Sequence, residues 1–195
     1  MEMKYENFKL STDDQGNTWV GIDVAGSNVN TLGSPVLDEL EALLNAFDAN
    51  APKAVVFHSL KSSGFIAGAN IQEFEAIGQS NDVAAAEKLI KRGYDLCERL
   101  AAVKYPTLAL IKGFCMGGGM ELAMACRYRV AVDEPSTRMG LPEVMLGILP
   151  AWGGVKRMPQ LIGAPAAFDL MLSGKTVDAK KAKKLGLVDE AVPPR

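Results

Sequence analysis

The stretch Lys112-Gly-Phe-Cys-Met-Gly-Gly-Gly-Met-Glu-Leu-Ala, residues 112–123, decides how this chain is read. It continues a short apolar run, Tyr105 to Lys112 (YPTLALIK), with the composition of a buried strand. Gly117, Gly118 and Gly119 then lead into an apolar segment, and Met116 to Ala125 reads as a helix. Glycines at a strand-to-helix junction let a ligand approach the backbone closely. The free N–H groups of the helix's first turn, with the positive end of its dipole, offer a place for developing negative charge. Neither GxGxxG nor GxxxxGK followed by Ser or Thr runs through these positions, so the junction is not a nucleotide fingerprint. The ordinary alternative is a helix start packed tightly on a sheet.

Outward from this junction, Lys53 to Ser59 (KAVVFHS) is a second buried strand, and Asn81 to Val103 places Ala85, Leu89, Ile90, Leu96, Leu100 and Val103 among interleaved charges, as an amphipathic helix does. Lys4 to Ser11 and Thr18 to Val24 read as a hairpin around the turn-forming Asp13-Asp14-Gln15-Gly16-Asn17. Val36, Leu37, Leu40, Leu43, Leu44 and Phe47 fall at helical spacing after Ser34-Pro35. That pattern predicts a helix over about Pro35 to Ala49 with Ser34 as N-cap. Downstream, Arg127 to Val132 is strand-like, Gly154 to Ile162 and Ala164 to Ser173 are helices, and Asp178 to Leu185 is a short helix ended by Gly186, with Leu187 to Val192 as a closing strand. Strands alternating with helices make an α/β architecture, and no repeat or polar linker divides the chain.

Composition narrows the chemistry. The 195 residues are 48% hydrophobic and 23% charged, an ordinary globular balance that one domain can turn into a core. The net charge of −2 without a basic block argues against a nucleic-acid partner. Cys97, Cys115 and Cys126 form no CxxC pair or ligand cluster, which suits a reduced, cytoplasmic setting and no metal. The first residues lack a cationic segment followed by an apolar one, and no apolar run reaches the ~18 residues needed to cross a bilayer. His58 is the only histidine and lies in an apolar strand, a structural position, so mechanisms that need a histidine base are disfavoured. No GxSxG is present either. What is left is chemistry run by carboxylates and backbone amides.

Two carboxylates stand out. Glu121 lies in the first turn of the helix after the glycines, on an otherwise apolar segment. Glu143, in Gly140-Leu-Pro-Glu-Val-Met-Leu-Gly-Ile-Leu-Pro, is the only charged residue between Arg138 and Lys156; desolvation in such surroundings raises a carboxyl pKa toward the range useful for acid–base work. A third segment, Ser63-Gly-Phe-Ile-Ala-Gly-Ala-Asn-Ile, again sets small residues before a helix, Ile71 to Ile77. If both glycine-rich turns face one pocket, two backbone N–H groups converge on one oxygen as an oxyanion hole.

These motifs, FIAGANI at 65–71, GFCMGGGMELAMAC at 113–126 and GLPEVMLGILPAWGG at 140–154, together with SGKTVDAKKAKKLGLVDEAVP at 173–193, resemble the enoyl-CoA hydratase/isomerase (crotonase) family. The last segment is most similar to the hydratase modules that open bacterial multifunctional fatty-acid oxidation proteins, where a hydroxyacyl-CoA dehydrogenase follows. The resemblance implies a spiral of ββα units. It also implies a thioester carbonyl held by the N–H groups of Ala69 and Gly118, with Glu121 and Glu143 as the catalytic pair. Ala67, Gly68, Ile71, Gly117, Pro142 and Trp152 line the substrate in that implied site, although a packed loop aromatic is the more ordinary account of Trp152. Glu121 and Glu143 are 22 positions apart, a longer spacing than in many single-function hydratases, with the extra residues in the Asp133 to Thr137 loop. Asn70 stands where the family usually has aspartate, and it can cap the following helix equally well.

The implied reaction is syn addition of water to a trans-2-enoyl thioester in fatty-acid β-oxidation, with double-bond isomerisation as a second capacity of the same carboxylates. It needs no metal and no redox cofactor, because coenzyme A is part of the substrate. Family members continue with helices that cover the acyl pocket and build the oligomer. The resemblance therefore presents residues 1–195 as the core of a longer protein, which would pair with a thiolase or with further copies of itself. The rival reading is a module that binds acyl-CoA without turning it over. The lysines at 180, 181, 183 and 184 could meet phosphates, but such a face is ordinarily solvated.

Overall fold

The protein is described by a computed structural model covering residues 5–80 and 82–194. Its large sheet is organised around the apolar strand that precedes the glycine run. β5 (Thr107–Ile111) pairs in parallel with β3 (Val55–Ser59) on one side and β7 (Tyr128–Val132) on the other. The hairpin β1 (Phe8–Thr12) and β2 (Thr18–Ile22) extends the β3 edge, and β9 (Glu190–Val192) closes the far one. The order is β1-β2-β3-β5-β7-β9, with only the hairpin antiparallel. β3 is buried through Val55–Phe57, whereas β5 and β7 alternate buried with half-buried residues, so one face of these central strands is packed more closely than the other.

A second parallel sheet, which the residue pattern did not show but which a spiral of ββα units requires, is built from β4 (Gly64–Ile66), β6 (Phe114–Met116) and β8 (Arg138–Gly140). Three large-sheet strands are each followed by a small-sheet strand, β3 by β4, β5 by β6 and β7 by β8, so the chain winds as a spiral. Gly113, at φ 64°, makes the passage from β5 to β6, where a Cβ would stand 2.7 Å from Gly64 Cα. No other residue type fits that crossing. The predicted helix from Met116 is corrected by the same geometry: Met116 belongs to β6, and α4 runs Gly118–Ala125.

The helices cover the sheets. α1 (Ser34–Ala49) buries the predicted face of Val36, Leu37, Leu40, Leu43, Leu44 and Phe47. Its cap differs from the expectation, since Gly33 occupies the N-cap without a side-chain bond and Ser34 lies inside the helix. The end is closed instead from α2 (Ile71–Ser80): Ser34 N–H donates to both Glu73 carboxylate oxygens at 3.0 Å, and Ser34 Oγ donates to Oε2 at 2.7 Å. A carboxylate there satisfies an orphan donor and complements the helix dipole. α3 (Val83–Ala102) starts at Asp82, whose Oδ1 accepts the Ala85 N–H, and packs Leu89, Gly93, Leu96, Cys97 and Leu100 inward. α4 is buried along its whole length, which explains a sequence without a polar face. α5 (Gly154–Ile162), α6 (Ala164–Ser173) and α7 (Ala179–Leu185), with Gly186 left-handed at its end, follow the predicted bounds closely.

The observed strands are shorter than predicted at several ends, and Lys4 and Asn81 lie outside the described residues. All three cysteines are free and buried. His58 packs edge-on against Trp19, with ring centroids 5.4 Å apart, as a structural histidine does. Among the described residues no helix is long and apolar enough to cross a membrane.

Candidate active site

Three turns of the spiral deliver their small-sheet ends to one place. After β4 the chain forms a parallel bridge between Ala69 and Leu32, in which Leu32 N–H donates to Gly68 O and Asn70 N–H donates to Leu32 O. Those bonds use the groups flanking Ala69 and leave its own N–H pointing the other way. After β6, Gly117 (φ 51°, ψ −127°) donates to Gly140 O and turns the chain into α4. Gly118 is then the first helical residue, and its N–H is one of the orphan donors of the helix start. Neither the Ala69 nor the Gly118 N–H is engaged by a partner among the described residues. The two backbones are close, since a Cβ on Gly118 would stand 3.5 Å from Ala69 N.

Glu121, in the first turn of α4, is 2% exposed. Its Oε1 accepts the N–H of Trp152 at 2.8 Å and that of Gly154 at 2.7 Å. Burial pushes its carboxyl up to about 7, the Glu143 charge pushes the same way, and the Gly154 and Trp152 amides with Arg157 pull against them. Glu143 begins a single 3₁₀ turn, Glu143–Leu146, after Pro142, and is 8% exposed. Its Oε1 lies against Gly117, where a Cβ would stand 3.1 Å away, and its Oε2 is buried with no hydrogen-bond partner among the described residues. Burial raises this carboxyl as well. Two buried carboxyls, both made harder to ionise by burial, together with two unclaimed N–H groups can move protons next to a stabilised oxyanion.

The other expected residues divide. Gly117 and Gly68 meet in this cluster, a Cβ on Gly117 standing 3.7 Å from Gly68 Cα. Trp152 is 3% exposed, its indole packed on Gly118 and on Gly93 of α3, so its ring acts as a packed aromatic while its N–H serves Glu121. Ala67 lies on a neighbouring slot of about 10 Å³ with Val29, Asn30, Ser63, Gly64 and Phe114. Ile71 opens α2 at 49% exposure, and Pro142 is the N-cap of the 3₁₀ turn that carries Glu143. Asn70 Oδ1 accepts the Gln72 N–H, capping α2 as expected. Sequence reasoning missed Gly154, Gly93, Arg157 and Glu98. The only signal was the Trp-Gly-Gly run after Pro150, whose glycines admit Arg157 and Glu121 side chains.

Residues 22–195 match the family model described as Enoyl-CoA hydratase/isomerase. The chain belongs to that family. Within the enoyl-CoA hydratase/isomerase family it is similar to the fatty acid oxidation complex subunit alpha of Vibrio parahaemolyticus, 46% identical over 187 residues that make up 95% of this chain and 26% of the relative. The subunit of the same name from Shewanella amazonensis is 42% identical over 189 residues, 96% of this chain and 26% of that one. The chain thus spans about a quarter of the length of these relatives. Among solved structures, enoyl-CoA hydratase from Bacillus anthracis superimposes with a TM-score of 0.88 at 28% identity, covering 96% of this chain and 70% of that one. Enoyl-CoA hydratase from Thermoplasma volcanium gives 0.85 at 27% identity, covering 95% and 71%. The ββα spiral is the crotonase fold of this family.

Proposed function

We propose that this domain hydrates trans-2-enoyl-CoA thioesters to 3-hydroxyacyl-CoA as a step of fatty-acid β-oxidation in the cytoplasm. The observation that carries the reading is a pair of buried carboxyls, both raised by burial, in one cluster with the unclaimed N–H groups of Ala69 and Gly118. Glu121, ionised and oriented by two amides, takes a proton from water as the water oxygen bonds to Cβ. The π electrons move to the thioester oxygen, where Ala69 and Gly118 N–H meet the enolate charge. Glu143, protonated at the start, gives its proton to Cα as the carbonyl re-forms. Glu121 ends protonated and Glu143 ionised, and a proton returned from one to the other resets the pair. The titration belongs to the two groups together. No step calls for a metal or a redox cofactor, and coenzyme A enters only as part of the substrate.

The same proposal places the domain inside a longer protein. Its support is the length of the relatives and an apolar surface on the 3₁₀ turn and α6, with Met145 72% and Leu172 69% exposed. An acyl-CoA-processing assembly, with a thiolase or with further copies, is the partner class this reading carries. The test follows loss of the conjugated thioester absorbance with crotonyl-CoA and longer enoyl-CoAs, with a 3-enoyl-CoA in parallel to read isomerisation. Removal of one acid–base group should lower kcat by about 10²- to 10⁴-fold in Glu121→Gln and Glu143→Gln. Unchanged turnover in either variant overturns the mechanism. Acyl-CoA binding without turnover by the unmutated protein would make it a binding module.

A further inference from the structure

The turn that holds Glu121 is itself held from the far side. Arg157, in the first turns of α5, is 7% exposed. Its Nη1 donates to the Trp152 carbonyl at 3.0 Å, and its Nη2 donates to Glu98 Oε1 of α3 at 2.6 Å. Lys156 Nζ donates to the other Glu98 oxygen at 3.0 Å. The Trp152 carbonyl belongs to the peptide between the two peptides whose N–H groups reach Glu121 Oε1. Gly153 follows it at φ 103°, and a Cβ there would collide with Arg157 Nη1, so the guanidinium lies against bare backbone. A glycine in this position leaves the central peptide free to rotate unless something outside the turn fixes it.

We infer that Arg157, braced by Glu98, is a positioning residue: by holding the Trp152 carbonyl it keeps the Trp152 and Gly154 N–H groups aimed together at Glu121. The inference rests on the reading of Glu121 as the base. An arginine fork can serve a carbonyl and a carboxylate at once, whereas a lysine ammonium on a flexible stem does not hold both in one plane. The charged groups that act on Glu121 are Glu143 from the 3₁₀ turn and Arg157 from α5, the latter paired with Glu98 of α3; Cys97 of α3 lies within the field of Glu121, and burial keeps its thiol neutral. Amide donors favour the ionised carboxylate, so a loosened turn makes Glu121 harder to ionise.

The experiment titrates the Glu121 carboxyl by carbon NMR in the folded chain, its signal assigned by its loss in Glu121→Gln, and measures kcat and KM in parallel. Arg157→Lys keeps the charge but loses the fork, and should raise the Glu121 midpoint by about one pH unit. It should lower kcat about tenfold with KM little changed. Glu98→Gln, at a partly exposed side chain, guards against a fold lost in the first variant. Removing a negative charge alone would lower the midpoint, so a rise there reports loss of positioning. An unmoved midpoint in Arg157→Lys, or a fall in Glu98→Gln, overturns the inference. Shifted midpoints together with full turnover in Glu121→Gln would keep the positioning role and remove Glu121 from the chemistry.

Discussion

The Gly154 N–H lies 2.7 Å from Glu121 Oε1, and a Cβ on Gly154 would stand 2.9 Å from that same oxygen. Donor and steric limit coincide at one residue, so position 154 can serve the carboxylate only as glycine. Gly154→Ala should push Glu121 off its two amides while leaving the site's charges in place. The expected outcome is a fall in kcat of about tenfold or more, with about 1–3 kcal/mol lost to overpacking, read by steady-state kinetics and thermal melting.

Glu121 also makes stability depend on pH. Its folded carboxyl titrates at about 7, above the ordinary 4.5, so between those values the folded state binds more protons than the unfolded chain. Stability from this group is therefore full below about 4.5 and is lost as pH rises through 7. The whole swing amounts to about 3 kcal/mol at the usual conversion of pKa to free energy. Glu121→Gln should remove it, so that denaturant melts show variant and parent converging at pH 4.5 and the variant gaining as pH rises to 8. Parallel curves would exclude a raised Glu121.

Gly118 is confined on two sides. A Cβ there would meet the Trp152 ring at 2.7 Å and stand 3.5 Å from Ala69 N. Gly118→Ala should therefore block the space in front of both free N–H groups and displace the indole. Loss of a stabilised oxyanion costs about 10²–10³ in kcat, so the variant should fall by at least that much while retaining its far-UV spectrum.

Asn70 follows Ala69 and donates to Glu73 Oε1 at 3.5 Å, while Glu73 closes the start of α1. A carboxylate in place of the amide would face another carboxylate. Asn70→Asp should lower stability by about 0.2–0.5 kcal/mol, less at high salt. Adding Glu73→Gln should relieve the repulsion. A stability unchanged in Asn70→Asp at low salt would show that the two side chains do not sense each other.

The thiols give a reading of the core. Cys97, Cys115 and Cys126 are buried, and burial raises the pKa of each. The thiolate is the reactive form, so a thiol reagent at neutral pH should find none in the native protein and three after unfolding. A thiol titrated in the native state would place a gap in the packing of α3 or α4.

The sequence alone determined the apolar strands, the helices with a repeating buried face, and the two glycine-rich turns, because those signals are local and periodic. It also singled out Glu121 and Glu143, since a charge in an apolar run must be buried or paired. The small sheet was beyond it: β4, β6 and β8 are three residues each, too short to show a period, and their pairing is between segments far apart in the chain. The closing of α1 by Glu73, 39 positions away, replaced the cap that Ser34-Pro35 suggested. So did the tertiary structure choose the donors to Glu121, 31 and 33 positions downstream, and the Arg157–Glu98 pair behind them. A hydrogen bond between remote segments leaves no periodicity in either one; only the winding of the spiral brings its two ends within 3 Å.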